Sequence, residues 1–272
     1  MKFQIDHDLH IHSVITPCAG HDPRQTKEAI LSYGLAAGLK LINVADHLWD
    51  EKVSCAGYNL WLDVGCSLEK GKTLLPLPQS PHCKFLFGME VDVDLQGNLA
   101  VSREEMDNLD FMVISPSHLH LAGFTVPVDL PEDAQTHKKW YLNKLHRLLD
   151  IDDLPWHKTG LAHPTCSLAC SKDPVRMFDI ITDDEYEAVW TRLRDRGMGI
   201  EINPDSNISA EDLPHILRPY KIARAVGCKF YLGGDCHTPD AIPNVRPRWE
   251  QFIDLLGLTE DDKLPFVHER LK

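Results

Sequence analysis

The sequence predicts an α/β fold in which parallel strands alternate with helices and the strands close, or nearly close, into a barrel. Three observations carry this. Seven short apolar runs recur along the chain, with helical patterns between them, the order that builds parallel strands through right-handed crossovers. The runs are apolar enough to require helices over their outer face. Nearly every run also ends in His, Asp or Glu, and in a closed barrel those carboxyl ends meet at one rim. At 272 residues the chain suits a single domain of this kind, read as spanning 1–272 with a loop insertion around 48–82.

The first run is Phe3 to His12, followed by an amphipathic stretch from Thr26 to Ala37 that ends in Gly38. Leu39 to His47 is the second run. From Leu48 to His82 the chain passes Cys55, Gly57 and Tyr58, then Pro76, Pro78 and Pro81; an insertion of this length in a compact domain is commonly a lid or binding loop. The third run, Lys84 to Asp94, alternates apolar and acidic residues after Met89. Ser102 and Glu105 spell a capping box ahead of the fourth run, Asp110 to His118. Asp133 to Leu149 places Trp140, Leu142, Leu145, Leu148 and Leu149 on one helical stripe. The fifth run, Gly160 to His163, is short. Asp173-Pro174 reads as an N-cap and first helical position, and Thr182 with Glu185 forms a second capping box. The sixth run is Gly197 to Asn203. Ser209 opens a helix that ends near Gly227, with Glu211 and Asp212 suited to its first turn, and Cys228 to Asp235 is the seventh run.

The formal net charge is −13, which opposes binding to long nucleic acid or to an anionic membrane. It leaves room for a small phosphorylated substrate if bound cations reverse the sign locally, and 15 His are available to hold them. No apolar run reaches the roughly 18–20 residues of a membrane span. The N-terminal MKFQIDHDLHIHS has no secretory apolar core. Eight Cys without a CxxC pair read as reduced thiols. A cytoplasmic protein is expected.

The candidate chemistry lies at the run ends. Residues two apart on a strand point the same way, so His10 faces with His12, and Asp235 with His237. His47, Glu90, His118 and His163 end or flank the other runs, and Glu201 and Asn203 lie on the sixth. A ring of imidazoles and carboxylates on one rim is a metal site. His118 is preferred to His120 because it lies nearer its strand end. His7 is out of phase with the pair and is expected to face away. His82, His137, His146, His157, His215 and His268 read as surface residues. Cys236 is expected to be a small buried thiol, and Cys18 lies near enough to the site for a soft ligand role.

The motifs DLHIHS (Asp8 to Ser13), ADH (Ala45 to His47), GMEVD (Gly88 to Asp92), SPSHLH (Ser115 to His120), AHP (Ala162 to Pro164), EINP (Glu201 to Pro204) and GGDCH (Gly233 to His237) together resemble the polymerase-and-histidinol-phosphatase (PHP) superfamily of metal-dependent phosphoesterases. They occur in that family's order. PCAGH, Pro17 to His21, is similar to a loop of the histidinol-phosphatase branch. The resemblance implies a distorted seven-stranded β/α barrel with a trinuclear centre of zinc, manganese or iron. By it, His10, His12, Glu90 and Asp235 hold one ion. A second shares Glu90 and adds His118 and His163, and the third takes His21, His47 and His237.

Hydrolysis of a small phosphomonoester, of the histidinol phosphate, nucleotide or sugar phosphate class, by a metal-bridged hydroxide is therefore expected. His120 is the protein candidate for leaving-group acid. Arg24, Arg246 and Arg248 are the candidate phosphate-binding residues, and Asn203 is a candidate for orienting a ligand. A nuclease or phosphodiesterase acting on short nucleic acids, and a noncatalytic regulatory module of the same fold, are the alternatives. A barrel amidohydrolase ranks below them, because no run ends in Lys.

Overall fold

A computed structural model describes residues 1–19, 22–203 and 208–272. Strand β1, His7–Ile11, is buried along its whole length. Helix α1, Lys27–Ala36, starts where Thr26 Oγ1 accepts the Ala29 amide, and returns the chain to β2, Leu41–Val44. The insertion holds two short helices, α2 (Leu60–Asp63) and α3 (Leu68–Lys72). Then come β3 (Lys84–Phe87), β4 (Met89–Asp92), α4 (Arg103–Met106) and β5 (Met112–Ser115). The longest helix, α5, is Ala134–Leu149, followed by β6 (Thr159–Leu161), α6 (Pro174–Asp179) and α7 (Asp183–Arg196). The chain closes with β7 (Gly199–Ile202), α8 (Leu213–Ala225), β8 (Lys229–Leu232), α9 (Val245–Leu256) and α10 (Pro265–Arg270).

All strand pairings are parallel, in one sheet of order β1-β2-β3 and another of order β4-β5-β6-β7-β8. The sequence predicts seven strands; among the described residues eight form, because the third run changes partner at Gly88. A side chain there would meet Phe111 O at 2.2 Å and the Asn43 amide at 2.5 Å, so only glycine lets the run cross between β2 and β5. The sheets also meet at their other edges, where Asp235 N donates to His10 O at 2.7 Å and His12 N to Cys236 O at 3.1 Å. The result is a mixed α/β fold resembling a distorted barrel.

Strand period sorts the core. In β2 and its flank, Ile42 and Val44 belong to the large apolar layer under the helices, while Leu41 and Ala45 join a smaller one. That smaller cluster contains Leu9, Phe111, Val113, Ala162 and Tyr231 and is closed by Phe266 and Val267 of α10. Among the described residues no helix is long and apolar enough to cross a membrane.

Several local expectations are corrected. The Thr182–Glu185 capping box forms, but Ser102 makes no side-chain cap, because its amide and hydroxyl are both taken by Asp50. The helix expected to open at Ser209 is regular only from Leu213, though Ser209 caps the turn leading into it, its Oγ accepting the Asp212 amide at 3.0 Å and its carbonyl the Leu213 amide at 3.0 Å. His137 is buried rather than on the surface, its Nδ1 2.7 Å from Ala169 O. His7, by contrast, faces away from His10 and His12 as expected, buried, with its Nε2 accepting the Leu232 amide at 3.0 Å.

Candidate metal centre

Alternation on β4 sends Glu90 and Asp92 to the same side, and both are buried. Buried carboxylates are costly unless paired or bound to a cation. Glu90 is surrounded by imidazoles. Its Oε2 lies 3.2 Å from His10 Nε2, 3.2 Å from His12 Nε2 and 3.1 Å from His47 Nε2. Its Oε1 lies 2.9 Å from His163 Nε2 and 3.6 Å from His118 Nε2, and accepts the Ser115 hydroxyl. Asp235 Oδ1 stands 3.0 Å from His12 Nε2 and 3.5 Å from His10 Nε2.

Each of these rings is held from behind through Nδ1. His10 Nδ1 donates to Glu201 at 2.7 Å. His47 and His118 both donate to Asp92, at 3.0 Å and 2.8 Å. His163 Nδ1 pairs with Ser117 Oγ at 2.9 Å, and His237 Nδ1 donates to the Asp235 carbonyl at 2.8 Å. His12 Nδ1 faces Cys18 Sγ at 4.0 Å. Carboxylates and carbonyls only accept, so the proton stays on Nδ1 of His10, His47, His118 and His237, and the Nε2 atoms of His10, His47 and His118 are left directed at Glu90. This is the tautomer and support that metal-bound histidines use.

The donor set fits a divalent transition metal. With metal–nitrogen bonds of about 2.0–2.1 Å, neighbouring ligand atoms of a tetrahedral site lie about 3.3 Å apart, close to the separations around Glu90. His10 Nε2 and His12 Nε2 are 3.1 Å apart, and two lone pairs at that distance repel unless a proton or cation stands between them. Asp235 Oδ1 is buried with no hydrogen bond made to it, an orphan that a cation satisfies. Among the described residues three ligand groups result: His10, His12, Glu90 and Asp235; His47, Glu90 and His118; and His12, Cys18 and His237. The first group is the one the resemblance implies. His47 departs from it, standing with Glu90 and His118 rather than with His237, because Asp92 holds both rings and aims both at Glu90. His163 joins through Glu90. His21 lies outside the described residues.

Burial by itself would strip protons from these rings, but the surrounding carboxylates win. His10 is pushed up to about 10 by Glu201, Glu90 and Asp235 against its burial. Burial opposes protonation of His12, His47 and His163 too, and they are raised all the same, with Glu90 a contributor in each case. Glu90 and Asp235 are held well below the carboxylate range, the imidazoles outweighing desolvation. A field that holds protons this firmly is equally available to cations, and the two compete. Apparent zinc affinity is therefore expected to rise with pH up to about pH 10, where His10 gives up its proton, with protons released on binding. Chelator-competition titrations at several pH values check this; a pH-independent affinity contradicts it.

The other expected residues are only partly at the site. His120 stands edge-on to His118, centroids 5.5 Å apart, at the wall of the site. Desolvation, and then the neighbouring His118, lower it to about 4, which disfavours its protonated form near neutrality. Arg24 is clasped by Asp22 at 2.6 Å and Asp240 at 2.7 Å and is more than half exposed. Arg246 donates to Ala37 O at 2.9 Å, in a separate apolar cavity beside Tyr33 and Trp249. Arg248 and Asn203 line a cavity of about 450 Å³ together with His163 and Asp235. A smaller cavity of about 160 Å³ is lined by His47, Glu90, His118 and His237. His163, Cys166, Leu168 and Asp235 line both. Cys236 is buried and unpaired to another thiol.

Three supports were given no role by sequence reasoning. Asp92 was detectable as the second inward acid of β4. Glu201, also a strand-end acid, accepts from His10 and from the His163 amide at 2.5 Å. Gly233 packs so closely on Glu201 that a side chain there would stand 1.7 Å from its Oε1. Trp61, from the insertion, stacks on His47 at 4.2 Å and donates to Asp92 at 2.6 Å; no periodicity marked it.

No family model and no curated protein matches the sequence. Among solved structures the chain is similar to a histidinol phosphate phosphatase from Lactococcus lactis subsp. lactis, solved with zinc, L-histidinol and phosphate. The TM-score is 0.54 at 13% identity, covering 93% of this chain and 94% of that one. An N-isopropylammelide isopropylaminohydrolase from Burkholderia multivorans matches with TM-score 0.45 and 13% identity, over 91% of this chain and 61% of that one. The resemblance carried by the motifs thus extends to the fold.

Proposed function

We propose that the protein is a metal-dependent phosphoesterase acting on a small phosphomonoester, with up to three zinc, manganese or iron ions. The observation that carries this is the convergence of His10, His12, His47, His118 and His163 Nε2 on one buried carboxylate, Glu90. When bound, such cations make a nucleophile of water near neutral pH and take up the charge that develops on phosphoryl oxygens. The chain's own part is to fix the geometry. Glu90 and Asp235 supply the negative charge, while Asp92, Glu201 and Ser117 keep the imidazoles oriented. The smaller cavity takes the phosphoryl group. The larger one, with Thr165, Ser167, Asn203, Asn244 and Arg248 on its wall, takes the rest of the ester, which limits substrates to small metabolites. Eight free thiols accord with a cytoplasmic setting.

A panel of phosphomonoesters that includes histidinol, nucleotide and sugar phosphates, run beside a bis-aryl phosphodiester and a short oligonucleotide with each metal, tests the reading. Turnover confined to monoesters is expected. Preference for the diester or oligonucleotide would make the protein a phosphodiesterase, and no turnover with any metal would leave a regulatory module.

A further inference from the structure

The third ligand group contains a thiol that the motifs do not require. Cys18 sits on the turn Pro17–Ala19 just beyond β1 and is solvent-exposed, whereas Cys66, Cys83, Cys170, Cys228 and Cys236 are buried. Its Sγ and one nitrogen each of His12 and His237 lie within 4.8 Å of one another, and Cys18 and His237 both face the smaller cavity. The proton of His237 is on Nδ1, given to the Asp235 carbonyl, which leaves Nε2 as a donor atom. His12 Nε2 belongs to the Glu90–Asp235 group, so it is His12 Nδ1–H that points at Cys18 Sγ.

We propose that Cys18 is a metal ligand: with His237 it forms a thiolate-containing cation position at the solvent side of the centre, its sulfur also accepting from His12 Nδ1–H. A thiolate has lone pairs for both contacts, and a cation that binds it displaces its proton. Sulfur at this position selects zinc over manganese, and links the rim position to the buried one through the His12 ring. The proposal rests on the metal-centre reading above.

Anaerobic loading of the full chain with cobalt(II) provides the test, since a cobalt–thiolate bond absorbs in the near ultraviolet and cobalt with only nitrogen and oxygen ligands does not. The band is expected in the wild-type protein and lost in Cys18→Ser, with a lower cobalt content. On the unsubstituted protein, zinc is expected to slow alkylation of Cys18 by iodoacetamide about tenfold or more, because a bound thiolate is a poor nucleophile. Cobalt bound without the band, a band that persists in Cys18→Ser, or alkylation at equal rates with and without zinc overturns the proposal and leaves the metal centre standing. Failure of the chain to bind cobalt, with His10→Ala indistinguishable from wild type, overturns both.

Discussion

Glu90→Gln is expected to reduce phosphomonoester turnover on the order of a thousandfold, because several kcal/mol of charge stabilisation are lost at about 1.4 kcal/mol per factor of ten. The substitution keeps the volume and removes the charge. Two of the three ligand groups share this one side chain, so its loss is felt at both together. The amide would also present an N–H₂ that donates to an Nε2 lone pair and so competes with a cation for it. Elemental analysis and kcat/KM on an aryl phosphate, with a thermal melt to show an intact fold, measure the effect. Wild-type metal content and turnover in the variant would remove Glu90 from the centre.

Asp92→Asn is expected to weaken zinc binding about 10–100-fold, the usual range for a group that supports metal-bound histidine. Asp92 serves His118 through Oδ1 and His47 and Trp61 through Oδ2. Asparagine has one carbonyl oxygen where the carboxylate had two acceptors, so one ring must face an N–H₂ group and turn or change tautomer. Unlike Glu90→Gln, this change leaves every first contact to the cation in place. A zinc titration against a chromophoric chelator reads it directly, and an unchanged dissociation constant would reduce Asp92 to a packing residue.

The strand ends were legible because buried parallel strands are apolar and their polar ends stand out, and because a period of two fixes which of His7, His10 and His12 face together. The division at Gly88 was not, since the change of partner depends on how Phe111 and Asn43 approach the backbone. The grouping of His47 with His118 was not legible either: it depends on one carboxylate accepting from rings on two different loops. Capping residues were read correctly where their competition was local, as at Thr182. They were misread at Ser102, where Asp50, distant in sequence, offered a charged acceptor. His137 looked like a surface residue because its helix is polar overall, and only the fold brings Ala169 O to it.

Trp61 gives the insertion a share in the metal centre, with its ring against His47 and its N–H on Asp92. Loops that shape substrate pockets are usually free to drift in length and sequence while the scaffold keeps the chemistry. Here that freedom is curtailed. A descendant that trades this loop for another, to admit a different ester, must also re-supply a flat ring with a donor at its edge, or accept a loosened ligand. Exchanging the insertion is therefore expected to alter the hold on His47 and the wall of the cavity together.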